Sequence, residues 1–380
     1  MNFPIEKFKG IETPFYYYDR KLLNDTLDTI KKELSQHQGY HLHYAIKANA
    51  NIEVLREIQN AGFGVDAVSG GEIQRALDAG FDAGKIVYAG VGKADWEINL
   101  GLDAGIFCFN VESLEELNII NELAAAKGKT AKVCFRINPN VGAHTHANIT
   151  TGLAENKFGI AMEDMETAVK AAVALANIEF IGLHFHIGSQ ILEMGDFEAL
   201  AKRINELQDR LEEQGIKVQN INVGGGLGIA YDDPDGKPVP DFKKYFDTYA
   251  KNLQLREGQQ MHFELGRAVV GQMGSLITRV LYVKHAHVKQ FAIVDAGMSD
   301  LIRPALYDAH HEIQNLTSTE AEETYDVVGP ICESSDVFGK DEKLPACHRG
   351  DLIALRSAGA YGEIMACQYN CRKLPKAYLM

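Results

Sequence analysis

Five positions in this 380-residue chain carry chemistry by residue type and place. Lys47 closes the apolar run YHLHYAIKA, where alternation puts His41, His43, Ala45 and Lys47 on one face. A lysine desolvated among Ala45, Ile46 and Ala48 would have a lowered pKa and could form a Schiff base; one that snorkels to solvent would do neither. The run GGGLG, Gly224 to Gly228, could let backbone N–H groups approach an anion, or could be a tight turn. Glu264 sits in FELGR, and a carboxylate there needs a cation, either a ring nitrogen or the neighbouring Arg267. His184 and His186 form H-x-H, suited to a metal, to stacking on a ring or to core packing. Cys332, flanked by Glu333 in GPICESSD, could deliver a proton or lie inert.

The elements that must hold these residues repeat. Eight short apolar runs begin at Tyr40, Gly64, Ile86, Ile106, Lys132, Ile181, Asn220 and Met261. Amphipathic stretches separate them, several ending in glycine, a helix stop. Strand–helix alternation implies right-handed βαβ units, and eight units match a (β/α)8 TIM barrel. In such a barrel reactive groups lie at the C-terminal ends of strands, where Lys47 and Glu264 fall, and phosphate sites often follow strands seven and eight, where the glycine run falls. After Arg267 the texture changes to period-two runs such as GSLITRVLYVKHAHVKQFAIV, predicting a C-terminal antiparallel β domain. The expected division is a barrel over 25–267 and a β domain from 1–24 and 268–380. PFYYYDR is expected to complete the β-domain sheet, and YDDPDGKPVPDF, Tyr231 to Phe242, to be an exposed loop.

Composition narrows the partners. There are 38 Lys and Arg against 52 Asp and Glu, a net charge of −14, and no basic cluster, so nucleic acid is not expected. Mean hydropathy is −0.17 and no run approaches the length of a membrane span. The opening MNFPIEKFKGIETPF has charges where an export signal needs apolar residues. Six cysteines without a C-x-x-C pair read as reduced thiols, which suggests a cytoplasmic protein, with no metal expected.

A lysine, an anion cradle, a histidine for a ring face and a carboxylate for a ring nitrogen together describe a pyridoxal 5'-phosphate site. With YAIKAN, GVDAVSGGE, RINPN, NKFGI, HFHIGSQ, NVGGGLG, FELGR, DAGMSDLIRPALYDAHH, GPICESSD and GAYG in that order, the chain resembles the fold-type III pyridoxal phosphate decarboxylases from Thr13 to Tyr361. The resemblance is closest to the branch acting on meso-2,6-diaminopimelate. It implies decarboxylation to L-lysine in an alanine racemase-like architecture. It further implies that Lys47 carries the cofactor, His186 stacks on the ring and Arg136 belongs to the surrounding shell. Ser189 and Gly224, Gly225 and Gly226 would bind phosphate, with Tyr361 nearby, and Glu264 would meet the ring nitrogen. Arg267 and Arg303 would hold the distal carboxylate of the substrate, Glu333 its ammonium, and Tyr307 and Tyr361 would complete the pocket. Cys332 would protonate the carbanion, working in the partner subunit of a homodimer. Two alternatives stay open, a decarboxylase of the same fold acting on carboxynorspermidine and a pyridoxal phosphate carrier without turnover. The family usually reads E-P-G-R where this chain has ELGR, so Leu265 lacks a rigid φ.

Overall fold

The computed structural model describes residues 3–142 and 157–380, which form two compact units. The first strand, β1 (Phe15–Tyr18), belongs to the β-rich unit. The second unit, Leu27–Gly228 with Asp241–Gly266, is an eight-stranded closed barrel. Its strands are β2 (Tyr40–Ala45), β3 (Gly64–Ala67), β4 (Ile86–Tyr88), β5 (Cys108–Val111) and β6 (Ala131–Asn138), followed past the short β7 (Ile160–Ala161) by β8 (Ile178–His184), β9 (Asn220–Asn222) and β10 (Gln260–Leu265). All neighbours pair parallel, and β10 closes the ring on β2, with Glu264 opposite His43. These strands are the eight apolar runs of the sequence.

Sequence chemistry explains the alternation. The helices Gly70–Asp78 and Leu114–Ala126 start at Ser69 and Ser113, whose hydroxyls accept the N–H of the residue three further on. Each turns a stripe inward, Ile73 and Ala76 in one, Leu117, Ile120 and Ala124 in the other. Helices outside and side chains inside leave β3, β4 and β5 buried along their whole length, which is why these strands read as continuous apolar runs. Polar residues on such strands therefore stand out: Asp66, Asn110, Arg136, His184, Asn222 and Glu264 are all buried near the C-terminal strand ends.

The β-rich unit comprises Met1–Thr26, Ile229–Pro240 and Arg267–Met380. Its eight-stranded sheet adds β11 (Gly274–His285), β12 (Gln290–Val294), β13 (Ile313–Asn315), β14 (Glu322–Val328), β15 (Val337–Pro345), β16 (Leu352–Leu355) and β17 (Lys376–Leu379). PFYYYDR does supply a strand: β1 pairs antiparallel with β11 and parallel with β17. The sheet is mixed where the sequence suggested antiparallel pairing throughout, because β12 and β14 also run parallel. The long connection between them, carrying the short helix Arg303–Tyr307 and β13, provides the crossover that parallel pairing requires. The segment from Tyr231 to Phe242, expected as an exposed loop, has no strand or helix before Phe242 and is largely exposed over 232–237; Ile229–Pro240 groups with this unit, where buried Arg356 pairs with Asp235 at 2.8 Å. No helix among the described residues is long and apolar enough to cross a membrane.

Candidate active site

The barrel mouth opens into a cavity of about 370 Å³, lined by Lys47, Asp66, Arg136, Phe158, His184, His186 and Glu264 together with Val68 and residues 89–92. That volume suits a small aromatic cofactor. Lys47 is half-buried. Strand β2 ends at Ala45, and a single 3-10 turn, Ile46–Ala48, carries Lys47, so the alternation predicted through Lys47 stops two residues short.

Glu264 is buried and accepts three hydrogen bonds, from Asn222 Nδ2 at 2.7 Å, Asn110 Nδ2 at 3.1 Å and His184 Nε2 at 2.8 Å. Burial alone would raise its pKa. The adjacent His184 and its hydrogen bond, with His186 and Lys47 also close by, outweigh that and hold the carboxyl well below the usual carboxylate range. Every partner of Glu264 is a barrel residue, so the salt bridge to Arg267 considered from the sequence is not what sustains its charge. A carboxylate has about four lone-pair positions, and three are taken, leaving one on Oε2 for a further donor.

The H-x-H pair splits its work. His184 is committed to Glu264, whereas His186 Nδ1 accepts the N–H of Gly225 at 3.2 Å, which places the His186 proton on Nε2. Burial, with Lys47 and Arg136 nearby, pushes the His186 pKa well below its ordinary value, so the ring is neutral. Arg136 pairs with Glu112 at 2.9 Å and lies over the Phe158 ring at 4.6 Å.

The glycine run follows β9 and lies against the loop after β8. Ile191 N–H donates to Gly226 O at 2.8 Å, and Gly228 N–H to Ile191 O at 2.9 Å, which brings Ser189 beside the run. Close packing explains the residue type. A Cβ at Gly225 would lie 2.0 Å from the carbonyl oxygen of Glu264, one at Gly224 2.3 Å from that of Phe185, and one at Gly226 2.8 Å from that of Gly188. The N–H groups of Gly224 and Gly225 are used internally, by Asn222 Oδ1 and His186 Nδ1, so of the three glycines Gly226 is the one whose N–H an anion would meet.

These features fit pyridoxal phosphate on the chain's own terms: an amine on a cavity wall, an anionic carboxylate with one open lone pair, a neutral imidazole and a glycine cradle. Sequence reasoning missed Asp66, Asn110, Glu112 and Asn222. Asp66 is buried on the cavity wall, and desolvation, reinforced by Glu264, raises its pKa well above normal. Glu112 accepts from Arg136, Gly90 N–H and Gly159 N–H, tying three mouth segments together. The signal for Asp66 and Asn110 was a polar residue inside an otherwise apolar strand, whereas Glu112 lies just past β5 and Asn222 ends the polar-rich Asn220–Asn222 strand. Asn156 of the NKFGI motif lies outside the described residues.

The β-rich unit gathers the other residues in two places. Arg267 donates to Tyr231 Oη at 2.5 Å and lies over the Tyr361 ring at 4.8 Å. Arg303 lies over the rings of Tyr231, at 5.3 Å, and Tyr307, at 6.0 Å, with His311 on its Nε side. Tyr361 adopts φ +57°, a conformation side chains rarely take and one that concentrates at functional sites. Tyr231 and His311 were not anticipated. Elsewhere in this unit Cys332 is exposed, its N–H directed to Asn370 Oδ1 at 3.4 Å, and Glu333 accepts from Ser335 at 2.8 Å. Leu265, where the family has proline, is the buried last residue of β10, in register with Tyr44.

Comparison with known proteins gives consistent relatives. The family model for the pyridoxal-binding domain of pyridoxal-dependent decarboxylases matches residues 20–271. A diaminopimelate decarboxylase of Bacteroides thetaiotaomicron is 67% identical over 376 residues, 99% of this chain and 97% of the relative. Its Neisseria meningitidis counterpart is 43% identical over 95% of this chain and 87% of its own. The crystal structure of diaminopimelate decarboxylase from Helicobacter pylori complexed with L-lysine superposes with a TM-score of 0.93 at 40% identity, covering 98% of this chain and 93% of that one.

Proposed function

This chain belongs to the diaminopimelate decarboxylase family of pyridoxal-dependent decarboxylases, and we infer that it releases carbon dioxide from meso-2,6-diaminopimelate to leave L-lysine. When bound, pyridoxal 5'-phosphate supplies an electron sink for the pair left behind by the departing carboxylate. The observation that carries the assignment of the site is Glu264: a buried carboxylate held anionic by three hydrogen bonds and its neighbours, in the same cavity as Lys47.

Lys47 Nζ is assigned to hold the cofactor's carbonyl carbon. Glu264 would keep a proton on the ring nitrogen, and neutral His186 would face the ring without adding charge to it. Arg136, fixed by Glu112, stands in the surrounding shell. Ser189 and the turn of Gly224, Gly225 and Gly226 would take the phosphate, Gly226 through its N–H and Gly224 and Gly225 by letting the backbone come close, with Tyr361 assigned beside it. The barrel is thereby the cofactor-binding domain and the β-rich unit supplies substrate contacts.

The substrate's distal carboxylate is assigned to Arg267 and Arg303, and its distal ammonium to Glu333, with Tyr307 and Tyr361 completing the contact. Buried Arg303 has no carboxylate partner among the described residues, which supports a role in taking an anion. Cys332 delivers the proton that replaces carbon dioxide. Its exposure, alongside exposed Glu333, Ile364, Tyr369 and Leu374, supports a homodimer in which a second copy covers this surface. A cytoplasmic setting accords with six free thiols.

The test is a substrate panel read by carbon dioxide release and product identity. Lysine from meso-diaminopimelate is expected, at a rate well above that on carboxynorspermidine; preference for the polyamine, or cofactor binding without turnover, would reject the assignment.

A further inference from the structure

One side chain touches both ends of the proposed cofactor site. Asn222 Oδ1 accepts the N–H of Gly224 at 2.9 Å, and Asn222 Nδ2 donates to Glu264 Oε1 at 2.7 Å. We propose that Asn222 is a positioning residue that couples the phosphate-binding turn to the carboxylate facing the ring nitrogen. The proposal rests on the assignment of Glu264 and the glycine turn given above.

The amide can point only one way. A backbone N–H only donates, and an ionised carboxylate only accepts, so Asn222 must turn its oxygen to Gly224 and its nitrogen to Glu264. The side chain is buried, so losing either partner would leave a buried polar group short of a hydrogen bond. The two segments it joins are already in close backbone contact. Glu264 N–H donates to Gly224 O at 2.7 Å, and the absence of a Cβ at Gly225 lets the turn lie on the Glu264 carbonyl. The backbone thus sets the distance between turn and strand, while Asn222 sets the direction of the Gly224 N–H and of the Glu264 carboxylate together.

Asn110 is the natural comparison. It gives Glu264 Oε1 the same kind of bond, at 3.1 Å, but its oxygen faces the Cys108 thiol at 3.7 Å and not the glycine turn. Asn110 serves the ring-nitrogen end alone, and Asn222 serves both. Aspartate at 222 would set a second acceptor against Glu264, and an aliphatic residue would leave a buried N–H and a buried carboxylate short of partners.

Binding of three probes to the full chain freed of cofactor separates the two ends. Pyridoxal phosphate against pyridoxal reads the phosphate end, and pyridoxal phosphate against its 1-deaza analogue reads the nitrogen end. Ratios cancel any general loosening of the site. Asn222→Leu should lower both preferences, each by about tenfold, as expected for a lost hydrogen bond to a charged or anion-binding group. Asn110→Leu should lower only the nitrogen preference. The coupling is overturned if Asn222→Leu keeps either preference at the wild-type value, or if Asn110→Leu lowers the phosphate preference as much. Should Asn222→Leu fail to fold, Asn222→Ala replaces it with the same two expectations. A wild-type chain with neither preference would instead overturn the cofactor assignment itself, and the coupling with it.

Discussion

Arg303 Nε lies 3.4 Å from His311 Nε2, and His311 Nδ1 donates to the carbonyl of Arg356 at 2.8 Å, so the imidazole that faces the guanidinium is neutral. Both side chains are buried, and aromatic rings occupy the other sides of the guanidinium. The arrangement keeps a cation in place without neutralising it, which leaves its charge for a carboxylate of the substrate.

Arg303→Ala should therefore lower kcat/KM for meso-diaminopimelate by about a hundredfold or more, through loss of a charge-assisted bond to a buried anion. Pyridoxal phosphate affinity should stay at the wild-type value. Arg303→Lys should recover only part of the loss, since an ammonium cannot form the forked pair. Wild-type kcat/KM in Arg303→Ala would remove this residue from substrate binding.

Stability should depend on His311 in acid. Burial first, then the charge of Arg303, lowers its pKa to about 3 in the folded chain, against about 6.5 unfolded. Above pH 6.5 both states hold a neutral ring and its contribution is complete. As pH falls below 6.5 the unfolded chain takes up a proton that the folded chain refuses, and about 2 kcal/mol is lost by pH 5. Denaturant unfolding of His311→Gln between pH 7 and 5 should show a flatter decline than wild type; parallel curves would contradict the assignment.

Much of this was legible in the residues. Eight apolar runs separated by capped helices specify the barrel, and a lysine and a glutamate just where two runs end specify its working face. The partners of Asn110, Asn222 and Glu112 were not legible, because a polar residue in or just after a strand carries no sign of which groups it will face once eight strands close into a ring. Lys47 shows the limit of periodicity: the strand ends at Ala45 and a 3-10 turn begins at Ile46, one residue before it. The segment from Tyr231 to Phe242 read as an exposed loop because turn formers dominate it, and it is one; what the turn formers do not show is that Tyr231 and Asp235 tie it to Arg267 and Arg356, partners distant in sequence.

Glu264→Gln preserves shape but places an amide among three donors. Decarboxylation should fall by about a hundredfold to a thousandfold, in the range of electrostatic groups aimed at a reacting centre. The bound cofactor should also change its absorbance as the ring nitrogen loses its acceptor. A kcat within a few fold of wild type, with unchanged absorbance, would show that the carboxylate does not control the ring.

Cys332→Ala should slow product formation by about a hundredfold, as for loss of a general acid. Some turnover should end in products other than lysine, because the carbanion waits longer for a proton. Mass analysis of products from the substrate labelled at the reacting carbon checks this; unchanged rate and a single product would assign the proton to another group.

The most direct test is to saturate the chain with pyridoxal phosphate, reduce it with borohydride and map the modified peptide by mass spectrometry. A pyridoxyl group on Lys47 is the predicted result. Modification of a different lysine, or of none, would contradict the assignment from which every other role follows.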